Sequence, residues 1–131
     1  MGYLTREEIL RADDIVREVV EVPEWDGSVL VQGLTGAERD AFESTVVELR
    51  GRKTHINMEN ARAKLCALAM VDEDGQRVFR DSDVKELGQK SGAALQRVFR
   101  VAQRLSGLSD DDIEELIKNS GGDQNGGSTS D

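Results

Sequence analysis

Little in this sequence is equipped for chemistry. Its 131 residues include one cysteine and one histidine. A single Cys66 excludes an internal disulfide and suits a reducing cytoplasm. No cysteine or histidine pair has the spacing of zinc ligands. The glycines form neither a Walker loop nor a dinucleotide fingerprint. Aromatic residues make up only 4% of the chain, too few for a platform that stacks bases. Apolar runs are a few residues long, far short of the ~20 that a membrane span requires. The opening Met1-Gly2-Tyr3-Leu4-Thr5-Arg6-Glu7-Glu8 has no basic n-region and no apolar h-region, so no signal peptide is expected. These absences predict a soluble intracellular protein with no cofactor, no metal and no catalytic residues.

Charge is plentiful and of one prevailing sign. Twenty-six acidic residues face 17 basic ones, for a formal net charge of −9. That sign opposes nucleic acid phosphates and anionic lipid, and it suits a partner with basic or mixed surfaces. It also serves plain solubility. The length fits one domain, and a chain of this size buries enough surface to fold without a disulfide or metal.

Helix punctuation dominates the pattern. Thr5 and Glu8 form a capping box for a short helix carrying Ile9 and Leu10, which Asp13-Asp14 end. Ile15 to Val22 is valine-rich and reads as a strand, with Val16, Val20 and Val22 on one face. Asp26-Gly27 marks a turn, and Ser28 to Gln32 a second strand with Val29 and Val31 on one face. A β-hairpin over about 15–32 follows. Thr35 and Glu38 make a second capping box with Leu34 at the staple position. The helix they open runs over about 36–50, with Phe42, Val46 and Leu49 as its apolar stripe and Gly51 as its stop. Asn57 caps a helix over about 58–70 that buries Ala61, Leu65, Leu68 and Ala69. Asp74-Gly75 is a hairpin turn between the short arms of a small ribbon ending near Phe79. Ser82 caps a short helix over about 83–87 that Gly88 ends. Ser91 opens one over about 92–106, with Leu95, Val98, Phe99, Ala102 and Leu105 on its apolar side. Ser109 caps the last, about 110–118, with Asp110, Asp111 and Asp112 at its N-terminus and Ile113, Leu116 and Ile117 as its apolar positions. Residues 120–131 hold no apolar side chain and are expected to be a disordered tail. The fold class is therefore α+β and mostly α-helical. One domain, 1–119, packs an N-terminal β-hairpin on a small bundle of about five helices.

The few residues able to do chemistry each have a plainer reading. His55 lies in a polar connector and reads as a solvated loop residue. Cys66 sits among alanines and leucines and reads as a small buried hydrophobe. Asp72-Glu73-Asp74-Gly75 fails the calcium-loop pattern, because Arg77 stands where that loop needs glycine. Arg50, Arg52 and Lys53 are cations at a helix end, where the dipole favours them. A helix-turn-helix around Gly107 would open its second helix with three aspartates, the wrong sign for DNA. Binding, rather than catalysis, is the function these residues leave.

Several phrases resemble one family. Leu4-Thr5-Arg6-Glu7-Glu8-Ile9-Leu10, Val22-Pro23-Glu24-Trp25-Asp26-Gly27 and Leu34-Thr35-Gly36-Ala37-Glu38-Arg39-Asp40-Ala41-Phe42-Glu43 are similar to the N-terminal half of tail assembly chaperones of long-tailed phages and prophages. Asn60-Ala61-Arg62-Ala63, Val71 to Phe79 and Ala102 to Ser109 continue the likeness, which covers about Leu4 to Asn119. The resemblance implies a protein that binds the tape measure protein, keeps it soluble and promotes tail tube assembly. It also implies the major tail protein as a second partner, a site in the host cytoplasm, and absence from the mature virion. Many such proteins have a longer frameshifted form, and the segment from Ser120 is where such an event would fall. Self-association into a ring or filament is a further expectation, which the hairpin edge could support. Phe42, Val46, Leu49, Ile113, Leu116 and Ile117 are the apolar residues assigned to partner binding. They compete with a reading as ordinary core. The rival functions are a virion structural part, such as a minor tail or head–tail connector subunit, and a small acidic regulatory binding protein.

Overall fold

The computed structural model describes residues 2–51 and 58–115. In chain order the elements are α1 (Arg6–Arg11), β1 (Arg17–Val22), β2 (Gly27–Gln32), α2 (Gly36–Gly51), α3 (Met58–Ala69), β3 (Met70–Val71), α4 (Val84–Leu87) and α5 (Gly92–Leu105). A last helix, α6, occupies 110–115 of the described residues. The expected α+β, mostly helical class is what the chain adopts.

Helix starts follow the capping chemistry. Thr5 Oγ1 accepts from the Glu8 amide at 3.2 Å while Glu8 Oε1 accepts from the Thr5 amide at 2.9 Å. Thr35 and Glu38 repeat the arrangement at 3.1 and 2.9 Å. Ser91 Oγ accepts from the Ala94 amide, which opens α5. Ser109 and Asp112 close a third reciprocal box, and the hydrogen bonds from Ser109 hold the Asp112 carboxyl below the usual carboxylate range. Ser82, expected to cap the short helix, does not do so. It lies within a 3-10 turn, Asp81–Asp83, and the carboxylate that serves this start is Asp83, which accepts from the Arg80 amide at 2.8 Å.

The hairpin pairs Val22 with Gly27 at its tip and Arg17 with Gln32 at its base. A 3-10 turn, Pro23–Trp25, joins the strands, and Asp26 takes the left-handed conformation at φ 55°. The sheet has a third strand that periodicity did not show. Met70 and Val71 pair with Val31 and Leu30, so the helix expected to run to Met70 ends at Ala69. Val20, Val22 and Val31 are buried on one face. Val16, expected beside them, is 57% exposed, because it precedes the strand and escapes the pleat's alternation.

Helix α5 is the central support. It packs against β1 and β2 on one side and α3 on the other, with α2 and α4 completing the layer beyond α3. Its buried residues Ala94, Leu95, Val98, Phe99 and Ala102 form a stripe wide enough to serve both sides. The Arg62 guanidinium from α3 lies 5.6 Å from the Phe99 ring centre, a cation–π contact across the two helices. Gly33 is where the hairpin leaves the sheet beneath the end of α5. A Cβ there would stand 2.5 Å from the Leu105 carbonyl oxygen, so the approach needs glycine. The next amide, Leu34, donates to Ser106 Oγ at 2.9 Å. By contrast no residue of α1 is buried, and Leu4, Ile9 and Leu10 face solvent.

Candidate functional site

Three of the six apolar residues assigned to partner binding have side chains among the described residues. Phe42, Val46 and Ile113 are fully or almost fully buried and belong to one hydrophobic cluster with the sheet valines and the α3 and α5 faces. The Leu49 side chain, Leu116 and Ile117 lie outside the described residues, as do His55, Arg52, Lys53 and the segment 120–131. Cys66 is wholly buried. Its thiol donates to the Leu95 carbonyl at 3.5 Å, and burial pushes its pKa up to about 12, which suits packing and opposes nucleophilic use. Among the described residues no group of three or more metal-binding side chains comes together. No helix among them is long and apolar enough to cross a membrane.

Among the described residues a concavity lies between the hairpin tip and α4. A cleft of about 570 Å³ is lined by Trp25, Val78, Phe79, Asp83, Glu86, Leu87, Gln89 and Lys90. An adjoining hollow of about 450 Å³ shares Trp25, Val78 and Phe79 and extends along Ser28–Leu30 to Asp72 and Glu73. Each wall is held by identifiable chemistry. Trp25 closes the 3-10 turn, and the preceding residue ties that turn to α5. There the Arg97 guanidinium grips both Glu24 carboxylate oxygens, with Arg97 NH2 donating to Oε2 at 3.1 Å, and holds that carboxyl below its usual range.

The opposite wall is the segment after β3. The Asp72 carboxylate accepts from the amides of Asp74 and Gln76, and Gly75 takes φ +83°, so the Asp74-Gly75 turn forms as expected. The ribbon it closes is slighter than expected, a single bridge between Val71 and Arg77. Asp81 then accepts from Lys64 Nζ and from Arg77, each at 3.1 Å. The Lys64 side chain is buried, so this ion pair clamps the segment onto α3, and its hydrogen bonds lower the Asp81 pKa. Val78 is left 55% exposed and Phe79 half-buried on the cleft floor. Sequence reasoning missed Trp25, Val78 and Phe79 as a group. Only the isolated tryptophan at a turn could have drawn attention to them.

The family decides how these features are to be understood. The sequence model of the phage tail assembly chaperone family matches residues 5–119. The chain belongs to that family. The fold agrees. It is similar to the structure of the bacteriophage HK97 tail assembly chaperone, with a TM-score of 0.53 at 20% identity over 76% of this chain and 94% of that one. No curated protein matches the sequence. This tail assembly chaperone therefore carries the family's fold with a clamped, half-open cleft at the hairpin end.

Proposed function

We propose that this tail assembly chaperone binds the tape measure protein of its phage, keeps it soluble in the host cytoplasm, and promotes assembly of the tail tube around it. The observation that carries the reading is the family match over residues 5–119. The molecule's physical character supports it. The chain is strongly acidic, which suits a basic or mixed client, and the described residues hold a part-apolar cleft. The major tail protein is the second partner in this reading, and the chaperone leaves before the virion is complete. Phe42, Val46 and Ile113 are core residues in this state, so a client would meet them only if the core opened.

Co-expression with the tape measure gene of the same phage tests the proposal. The tape measure product is expected in the soluble fraction with the chaperone and in the pellet without it. Equal solubility in the two cultures overturns the reading. Mass spectrometry of purified virions is expected to find none of this chain. Abundant copies there would make it a virion structural subunit instead.

A further inference from the structure

We infer that the cleft between the hairpin tip and α4 is a docking site for a peptide segment with large apolar side chains on one side and lysines or arginines at its flanks. The inference rests on the chaperone reading for the source of the segment, a tail protein, and on the cleft itself for its chemistry.

Two observations carry it. The first is the floor. Trp25 and Phe79 are only half-buried, and Val78 beside them is 55% exposed, although the same chain buries its other two phenylalanines. Half-buried aromatic side chains gathered in a concavity are a common anchor of a protein interface. The walls are also tied to neighbouring elements. The Glu24–Arg97 pair fixes one wall and the Lys64–Asp81–Arg77 cluster the other, so a segment entering the cleft meets a preformed surface.

The second observation is the rim. Across the two hollows four carboxylates, Asp72, Glu73, Asp83 and Glu86, stand against one amine, Lys90. Asp72 and Asp83 spend oxygens on local amides. Glu73 and Glu86 are exposed, and among the described residues neither has an ion-pair partner. Acids left unpaired around an apolar floor repel an acidic segment and draw a basic one, giving the site its sign preference.

The single tryptophan of the chain lies in this cleft and reports on it directly. Two synthetic 18-residue peptides serve as probes. Both carry leucines at i, i+3, i+4 and i+7, one flanked by lysines and the other by glutamates. The lysine peptide is expected to shift Trp25 emission to the blue in a saturable way. The glutamate peptide should bind at least tenfold more weakly. The double variant Glu73→Lys/Glu86→Lys touches no packed side chain and should lose about tenfold in affinity for the lysine peptide. Val78→Asp should abolish the shift with either peptide. No shift with the lysine peptide, equal binding of the two peptides, or native affinity in the double variant each overturns the inference. The co-expression assay separates this outcome from the chaperone reading. If the double variant keeps the tape measure product as soluble as the native chain does, the cleft is not the client site and the chaperone reading stands. If the native chain fails to keep it soluble while the lysine peptide still binds, the chaperone reading falls and the cleft stands.

Discussion

Helices α1 and α2 begin with the same chemistry and end in opposite situations. Each opens on a threonine whose hydroxyl accepts from a glutamate amide three residues on, while the glutamate side chain returns the bond. Helix α1 lasts six residues and buries none of them. Helix α2 lasts 16 and places Phe42 and Val46 in the core. The cap states where a helix starts. Its length and its hold on the rest of the molecule come from the apolar stripe behind the cap, because an isolated helix of this size is marginal in water.

Emptying the stripe should separate the two helices most. Phe42→Ala should cost about 3–5 kcal/mol of unfolding free energy in a denaturant titration, for lost burial and the cavity left behind. Leu10→Ala, at a side chain 68% exposed, should stay within about 0.5 kcal/mol. A similar cost for both would mean that α1 packs on the body after all.

A probe inside the body sharpens the same contrast. The Cys66 pKa is pushed up to about 12 by burial. Its folded value is raised, so below the ordinary thiol range both states hold the proton and stability is unaffected. From about pH 9 the unfolded thiol ionises and the folded one cannot, and stability falls as pH rises towards the folded value. By pH 11 the loss is on the order of 2–3 kcal/mol, and it should be missing from the slope of Cys66→Ala. At pH 8 the thiol should resist alkylation in the native protein, and deletion of residues 2–11 should leave that protection in place. Rapid alkylation after the deletion would show that the arm shields the body.

The caps themselves give the smallest difference. Thr35→Ala should lower global stability by about 1 kcal/mol. Thr5→Ala should remove a little helical circular dichroism and leave the unfolding midpoint where it was, since no buried contact couples α1 to the fold. Equal midpoint shifts would contradict that uncoupling.

Much of the fold was legible for this same reason. The caps at Thr5, Thr35 and Ser109 and the turns at Asp26-Gly27 and Asp74-Gly75 are each closed by atoms two to four residues apart. The misreadings occur where the partner is distant. Met70 looked like the end of a helix, since the strand it joins lies about forty residues earlier, a separation no local pattern reports. Val16 looked buried because alternation was extended past the end of the ladder. The site was less legible than the fold. Trp25 and Phe79 line one cleft, with Arg97 tying down one turn and Lys64 the other, and neither link leaves a periodic trace.

Near neighbours and composition were enough for the starts of α1, α2, α5 and α6, the two turns, the burial of Cys66 and the phrases that mark the family. Only the tertiary structure decided that Phe42, Val46 and Ile113 belong to the core, that Met70 and Val71 complete a sheet, and that an acidic-rimmed cleft opens beside Trp25. Those outcomes depend on which apolar faces cover one another, and burial is settled by elements that meet from far apart in the chain.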